Sequence, residues 1–286
     1  MDIKRAEELV KGIGIPSQMG IVIAINEETS RPNPNFGRIS DLIGQDVGLA
    51  AKVLKIANSP FFGGRPVDSI HQALNMMGMS NFSNVIMSSA LRDVCGDADD
   101  SFWSHSMFVA KISAYIAKKT QLTTENQAYL LGLFHDCAIP LLLKKFPNYK
   151  QVLDTAIGYS FDSMEKEEAV VQSDHCTVGG LIAKSWKLPD VIYQTIQAHH
   201  NDKASHKDPA VVKAMAILVL SEYIAGCYVI ESFKVDSDHN WGSRYKETLA
   251  ELSIDADDVK DFMEDTFELL NKMNPFSMMK KSSKAK

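Results

Sequence analysis

The sequence predicts an all-α protein, and three observations carry that expectation. Apolar residues recur at helical spacing along most of the 286 residues, strand-like alternation is hard to find, and Gly, Pro and N-cap residues interrupt the pattern at helix-length intervals. A hydrophobic content of 45% is enough to bury a sizeable core.

In chain order, residues 1–14 read as a short helix closing at Gly12 or Gly14, and Ile15-Pro16 leads to a second helix around Gln18 to Glu27. The segment RPNPNFG breaks the pattern. From Ile39 to Asn58 the text reads as two short helices. Asp46 is a good N-cap for the second, which carries Leu49, Ala50, Val53, Leu54 and Ala57 at helical spacing and is stopped by Pro60. After FFGGRP, helices are expected at Ile70 to Met77 and Asn81 to Val94, separated by Gly78. CGDADD then marks a boundary. The expected division is an N-terminal helical lobe over residues 1–97, a helical core over 98–232, and a C-terminal helical extension with a basic tail over 233–286.

Within the core, helices are expected at Phe102 to Lys119, Thr124 to Asp136, Glu168 to Trp186, Asp190 to His200 and Ala210 to Ile230, the second opened by a Thr124/Gln127 capping-box pattern. Residues Lys234 to Arg244 are polar and loop-like, and one last amphipathic helix follows. Ala214 to Ile230 is the most apolar stretch. It is interrupted by Glu222 and is shorter than the roughly 20 residues of a bilayer span, so a core helix is expected and no membrane association.

The formal net charge is −6, and the only concentration of lysines is the tail Lys280 to Lys286, which argues against direct nucleic-acid binding. Cys95, Cys137, Cys176 and Cys227 are far apart, form no C-x-x-C pair and lie in apolar helical text. They are expected to be buried free thiols in a reducing cytoplasm. The first residues, MDIKRAEELV, are charged and lack the apolar centre of a signal peptide, which also fits a cytoplasmic location.

The candidate functional residues are ionisable groups on apolar helix faces. His105 shares a face with Phe108, Val109 and Ile112; His135 with Ala128, Leu131 and Gly132, with Asp136 one position further round; His175 with Val178, Gly179 and Ile182; His199 with Ile192, Thr195 and Ile196, with His200 adjacent. Gly132 is expected to leave space beside His135 and Asp136. Glu222 shares a face with Leu218 and Val219. One inward histidine is ordinary core, satisfied by a hydrogen bond. Several inward imidazoles and carboxylates without mutual use would cost a few kcal/mol apiece, so a shared site is the economical explanation. Neutral imidazole and carboxylate suit Mn, Fe, Ni or Zn, as one or two ions, and two ions could clamp a phosphate ester. A polar network in which Asp136 orients His105 or His135, with no metal, satisfies the same spacing.

The runs FWSHS (Phe102 to Ser106), LLGLFHDCAIPLL (Leu130 to Leu142) and DHCTVGGLIAKSWKLP (Asp174 to Pro189), with the pair His199-His200, resemble the HD-domain superfamily. Together with IGQDVGLAAKVLKIANSPFFGG (Ile43 to Gly64) and SIHQALNMMGMSN (Ser69 to Asn81), they are similar to the HD-related output (HDOD) family, from about Ile15 to His200. The resemblance implies a multi-helix HDOD fold with an HD-like helical core and an N-terminal helical lobe. It implies bacterial signal transduction through protein interaction, in domains that often lack a complete catalytic site. It assigns His105, His135, Asp136, His175 and His199 to the superfamily's metal positions, and Glu222 to about the place of a final aspartate. The text NDKASHKDP after His200 lacks the HHE start and GYP tripeptide of the cyclic-dinucleotide phosphodiesterase branch.

Two functions follow as expectations. One is a regulatory domain that binds a signalling protein without catalysis, supported by the missing GYP and by Glu222. The other is a metal-dependent phosphohydrolase acting on a nucleotide or other phosphate ester, with Asp136 as catalytic residue. If the site is degenerate, no metal is expected. Trp103, Trp186 and the methionines Met76, Met77, Met79 and Met87 are read as core packing. Asn58 is read as a helix cap or a bridge between lobes, and His71, His206 and His239 as surface residues.

Overall fold

The computed structural model describes residues 3–13, 19–59, 66–96, 98, 100–155, 161–200, 208–229 and 241–272, and among these it has sixteen helices and no strand. The all-α expectation holds. By proximity the chain divides into two compact units: Met1–Pro16 with Leu91–Val259, and Ser17–Ala90 with Lys260–Lys286.

The smaller unit holds α2 (Met19–Thr29), α3 (Phe36–Gly44), α4 (Val47–Ala57), α5 (Ile70–Met77) and most of α6 (Met79–Cys95). Its helices start where short polar side chains supply an acceptor. Asn35 Oδ1 accepts from the Arg38 amide at 3.0 Å, Asp46 Oδ1 from Leu49 at 3.0 Å and Ser69 Oγ from Gln72 at 3.2 Å. Gly78, at φ 74°, turns α5 into α6. Val22, Ile25, Ile39, Ile43, Val53, Leu74, Phe82 and Ile86 form its core, and Met77 and Met87 are buried as expected, whereas Met76 and Met79 are only half-buried. Asn58 is the C-cap residue of α4, and its side-chain amide donates to the Val67 carbonyl and accepts from the Val67 amide, both at 2.8 Å. His71 is exposed; His206 and His239 lie outside the described residues.

The larger unit contains α1 (Ile3–Ile13), α7 (Asp100–Thr120), α8 (Glu125–Phe134), α9 (Ile139–Lys145), α10 (Tyr149–Thr155), α11 (Phe161–Val171), α12 (His175–Ser185), α13 (Asp190–Ala198), α14 (Pro209–Val229) and α15 (Trp241–Leu252). Helix α7 packs along α8, α12 along α13 and α1 on α12, while α14 lies against α7, α8, α13 and α15. Gly132 does not open space beside His135. A Cβ there would lie 2.6 Å from the Ala110 Cα, so the glycine lets the backbones of α7 and α8 cross at close range. Ser113 donates to Ser221 at 2.9 Å, tying α7 to α14 in the core. The stretch Pro209–Cys227 is long and apolar enough to cross a membrane, yet 61% of it is buried against the protein, in keeping with a core helix.

The expected helix from Glu168 to Trp186 is two. Gln172 adopts a left-handed φ of 59° and ends α11, and Asp174 then caps α12, its Oδ1 accepting from the Thr177 amide at 2.8 Å. The last helix is likewise two, α15 and α16 (Ala256–Lys272), broken at Ser253 with φ 55°. Helix α15 begins inside the segment read as a loop. Trp186 packs edge-on against Phe134 with ring centroids 5.0 Å apart, and Trp103 lies beneath the Arg92 guanidinium. Cys95, Cys137 and Cys176 are buried thiols, but Cys227, near the end of α14, is exposed.

Candidate metal centre

The six candidate residues arrive from five places in the larger unit. His105 lies in α7, His135 and Asp136 in the turn that follows α8, His175 at the first residue of α12, His199 just past α13 and Glu222 in α14. The four imidazoles turn Nε2 towards the Asp136 carboxylate. His135 Nε2 is 3.0 Å and His105 Nε2 3.9 Å from Oδ2; His175 Nε2 is 3.6 Å and His199 Nε2 3.7 Å from Oδ1. Glu222 Oε1 is 3.4 Å from His135 Nε2. Every side chain in this set is at most 6% exposed except Glu222, at 19%.

What each ring does with its other nitrogen decides how it faces the centre. His135 Nδ1 donates to the Gly132 carbonyl and His199 Nδ1 to the Ile196 carbonyl, each at 2.7 Å. His175 Nδ1 donates to Glu167, 2.8 and 2.9 Å from its two oxygens, and the backbone amide of His175 donates to the same carboxylate at 2.7 Å. A carbonyl or carboxylate can only accept. Neutral rings in these bonds therefore carry their proton on Nδ1 and present a lone pair at Nε2, the arrangement found around metal-ligating histidines.

The electrostatics are unresolved by protein atoms alone. Burial disfavours charge on Asp136, yet the surrounding His135, His199 and His175 hold its carboxyl well below the ordinary value. Burial likewise opposes charge on His135, His175 and His199, but neighbouring Asp136, Glu167, Glu222 and Cys176 raise all three. His105 is driven down to about 4, by burial and then by the charge on His135. Burial raises Glu222. His135 Nε2, His199 Nε2 and Glu222 Oε1 are buried without a hydrogen-bond partner. Convergent lone pairs, anionic carboxylate and orphaned acceptors are the donor set of a hard-to-borderline divalent cation, and the residues fit one. His105, His135 and Asp136 bring ligand atoms within 4.8 Å of one another, as do His175, Cys176, His199 and His200.

Sequence reading missed Glu167 and Cys176, and gave His200 only a secondary place. Glu167 is 1% exposed on α11, and only the reversal at Gln172 brings it back to His175. The signal available was Asp174, a good N-cap immediately before His175, which places a helix start there and frees the preceding residues for a separate element.

The model of the HDOD domain matches residues 15–202, well over half of the chain. The chain belongs to the HDOD family. Among relatives of this HDOD protein, an uncharacterised protein of Treponema pallidum (strain Nichols) is 26% identical over 194 residues, which is 65% of this chain and 38% of that one. The uncharacterised protein YuxH of Bacillus subtilis (strain 168) is 26% identical over 153 residues, half of this chain and 37% of its own. The matched region thus spans less than two fifths of the length of these relatives. Among solved structures, an HDOD domain protein of Geobacter sulfurreducens aligns with TM-score 0.69 at 24% identity, covering 94% of this chain and 95% of that one. A protein of Shewanella amazonensis SB2B named as a candidate phosphohydrolase aligns with TM-score 0.71 at 20% identity, over 94% and 95% of the two chains. A protein of Marinobacter aquaeolei VT8 named as a candidate signal transduction protein aligns with TM-score 0.73 at 21% identity, over 93% of this chain and 59% of that one. These structures share the all-helical HDOD fold.

Proposed function

We propose that this chain is a signal-transduction domain that works through contact with a protein partner, with no turnover of its own. In this reading His105, His135, Asp136, His175, His199 and Glu222 hold one or two divalent transition-metal ions that tie its helices together. The observation that carries it is closure. The ligand atoms converge, yet five of the six side chains are at most 6% exposed, and Glu222, the least buried, turns Oε1 to 3.4 Å from His135 Nε2. A glutamate at this place also departs from the aspartate that the superfamily resemblance puts there. The signalling name of the Marinobacter structure supports the same reading. Three buried thiols and one exposed, all free, suit a reducing cytoplasm.

A second reading rests on a different observation. The Nδ1 bonds of His135, His175 and His199 orient the rings as a ligand shell would require, and the Shewanella structure carries a phosphohydrolase name. A metal-dependent phosphohydrolase would use Asp136 as ligand and catalytic residue on a nucleotide or other phosphate ester. The bound ions would supply an activated water and charge neutralisation of the phosphate.

The test is metal content of protein purified without chelator or histidine tag, followed by hydrolysis assays on nucleotides and a phosphodiester with added Mn. Stoichiometric metal, no turnover and a melting temperature that falls on chelation are expected. Turnover that disappears in Asp136→Asn overturns the regulatory reading in favour of the enzyme.

A further inference from the structure

Beside the Asp136 carboxylate lie two side chains outside the six-residue set, Cys176 and His200, grouped with two members of it, His175 and His199. Cys176 is the second residue of α12, fully buried, with Sγ 3.5 Å from His175 Nε2. His200 is 2% exposed, and its ring centroid is 4.0 Å from that of His199 and 5.0 Å from that of His175. Each of His175, Cys176, His199 and His200 offers one donor atom, all within 4.8 Å of one another.

A buried cysteine is commonly a small apolar filler. Here the thiol faces imidazoles whose orientation is fixed from behind. Glu167 holds His175 Nδ1 and the Ile196 carbonyl holds His199 Nδ1, so both Nε2 atoms turn inward, and the buried Nε2 of His199 has no hydrogen-bond partner. The Asp174 cap fixes the first turn of α12, and with it the direction of Cys176, through bonds of 2.8 and 2.7 Å to the amide and hydroxyl of Thr177. Asp136 Oδ1 lies 3.6 Å from His175 Nε2 and 3.7 Å from His199 Nε2, while its Oδ2 lies 3.0 Å from His135 Nε2 and 3.9 Å from His105 Nε2, so the carboxylate stands between the two groups.

We propose that Cys176, with His175, His199 and His200, forms a second, thiolate-containing metal position adjoining the Asp136 centre, and that it selects a borderline-soft divalent ion, zinc in preference to manganese. This deepens the metal reading given above and rests on it. Thiolate ligation favours zinc, iron or cobalt over the harder ions that carboxylate and imidazole alone accept. On binding, the Cys176 S–H bond breaks, a metal–sulfur bond forms and the proton leaves to solvent, with no change of oxidation state.

The experiment titrates the full-length, metal-stripped protein with Co²⁺ and follows both stoichiometry and the near-ultraviolet thiolate-to-cobalt charge-transfer absorption. Two ions per chain and a charge-transfer band are expected. Cys176→Ser should lose the band and weaken the second ion more than about 100-fold, beyond the 10–100-fold that outer-shell partners typically cost. The first ion should remain bound. A band that persists in Cys176→Ser overturns the proposal, because it then comes from another of the four thiols. One bound ion with no band in the unmodified protein, lost in Asp136→Asn, overturns it while leaving the Asp136 centre intact. No bound cobalt at all overturns both. X-ray absorption of the zinc-loaded unmodified protein gives a check that needs no variant: a sulfur neighbour at about 2.3 Å is expected, and a shell of nitrogen and oxygen alone overturns the proposal.

Discussion

Glu28 and Asp136 are both buried carboxylates, 2% and 1% exposed, one in each compact unit, and their surroundings differ in kind. Glu28 meets groups that have finished their business. Its Oε2 lies 3.0 Å from Arg31 and 3.4 Å from Arg38, cations whose own side chains are more than half exposed, and its Oε1 accepts from the Asn35 amide at 3.0 Å. Asp136 instead meets imidazole nitrogens whose proton-bearing atoms are committed elsewhere. Two arginines and a backbone amide face the first carboxylate, whereas the second is ringed by imidazoles that can take up protons or share a cation. A buried charge is thus a poor indicator of function until the far side of each partner has been followed.

The largest expected effect comes from removing the carboxylate at the centre. Asp136→Ala should abolish metal retention and, in metal-free protein, destabilise the fold by about 3–5 kcal/mol, the usual cost of leaving buried partner charges uncompensated. Metal analysis and urea unfolding measure the two. A variant as stable as the parent, with its metal retained, would make Asp136 a bystander and erase the contrast with Glu28.

Next is a pH effect with a defined sign. His105 is held near 4 in the fold and returns to about 6.5 when unfolded, so between those values the unfolded chain binds more protons. Its contribution to stability is present above about pH 6.5 and is lost as pH falls towards 4, a change of about 3 kcal/mol for a shift of this size. The raised values of His135, His175 and His199 act oppositely in metal-free protein. Their contribution is present below the ordinary histidine value and lost as pH rises through the raised ones. Imidazole NMR of the metal-free protein should show His105 neutral at pH 5 while the other three are protonated. Four rings titrating together would mean that they do not share one carboxylate.

Much of this was legible from the chain. The 3.6-residue period places His105, His135, His175 and His199 inward because each shares its face with aliphatic residues three or four positions away. The Thr124 cap was readable too, and its Oγ1 does accept from Gln127, at 3.2 Å. Periodicity failed where helices are short or the chain reverses on one residue. Helices α9 and α10 have seven residues each, under two turns, too little text for a phase to emerge. The left-handed Gln172 lies where apolar spacing continues on both sides, so α11 and α12 read as one helix and Glu167 had no visible route back to His175. Gly132 misled for a related reason: a missing side chain marks room, and only the crossing of α7 and α8 tells what occupies it.

A smaller effect separates orientation from ligation. Glu167→Gln keeps the shape of the side chain behind His175 but removes its charge, and should weaken metal binding by about 10–100-fold with the fold intact. Calorimetric titration against the parent measures it. An unchanged affinity would reduce Glu167 to a helix-start contact through the His175 amide.

The smallest effect tests the other half of the comparison. Glu28→Ala removes the acceptor of the Asn35 amide and two ion pairs whose arginines can return to water. Only the charge-assisted hydrogen bond should therefore register, at about 2 kcal/mol, with the two ion pairs, whose arginine ends are more than half exposed, adding little. Glu28→Gln, which keeps an acceptor for Asn35, should recover most of that loss. Both variants should keep their full metal content, because the groups around Glu28 end in solvent-exposed cations and not in lone pairs awaiting one. Loss of metal from either, measured on folded protein, would show that the two buried carboxylates are coupled, and the distinction between a completed charge and an unfinished one would have to be redrawn.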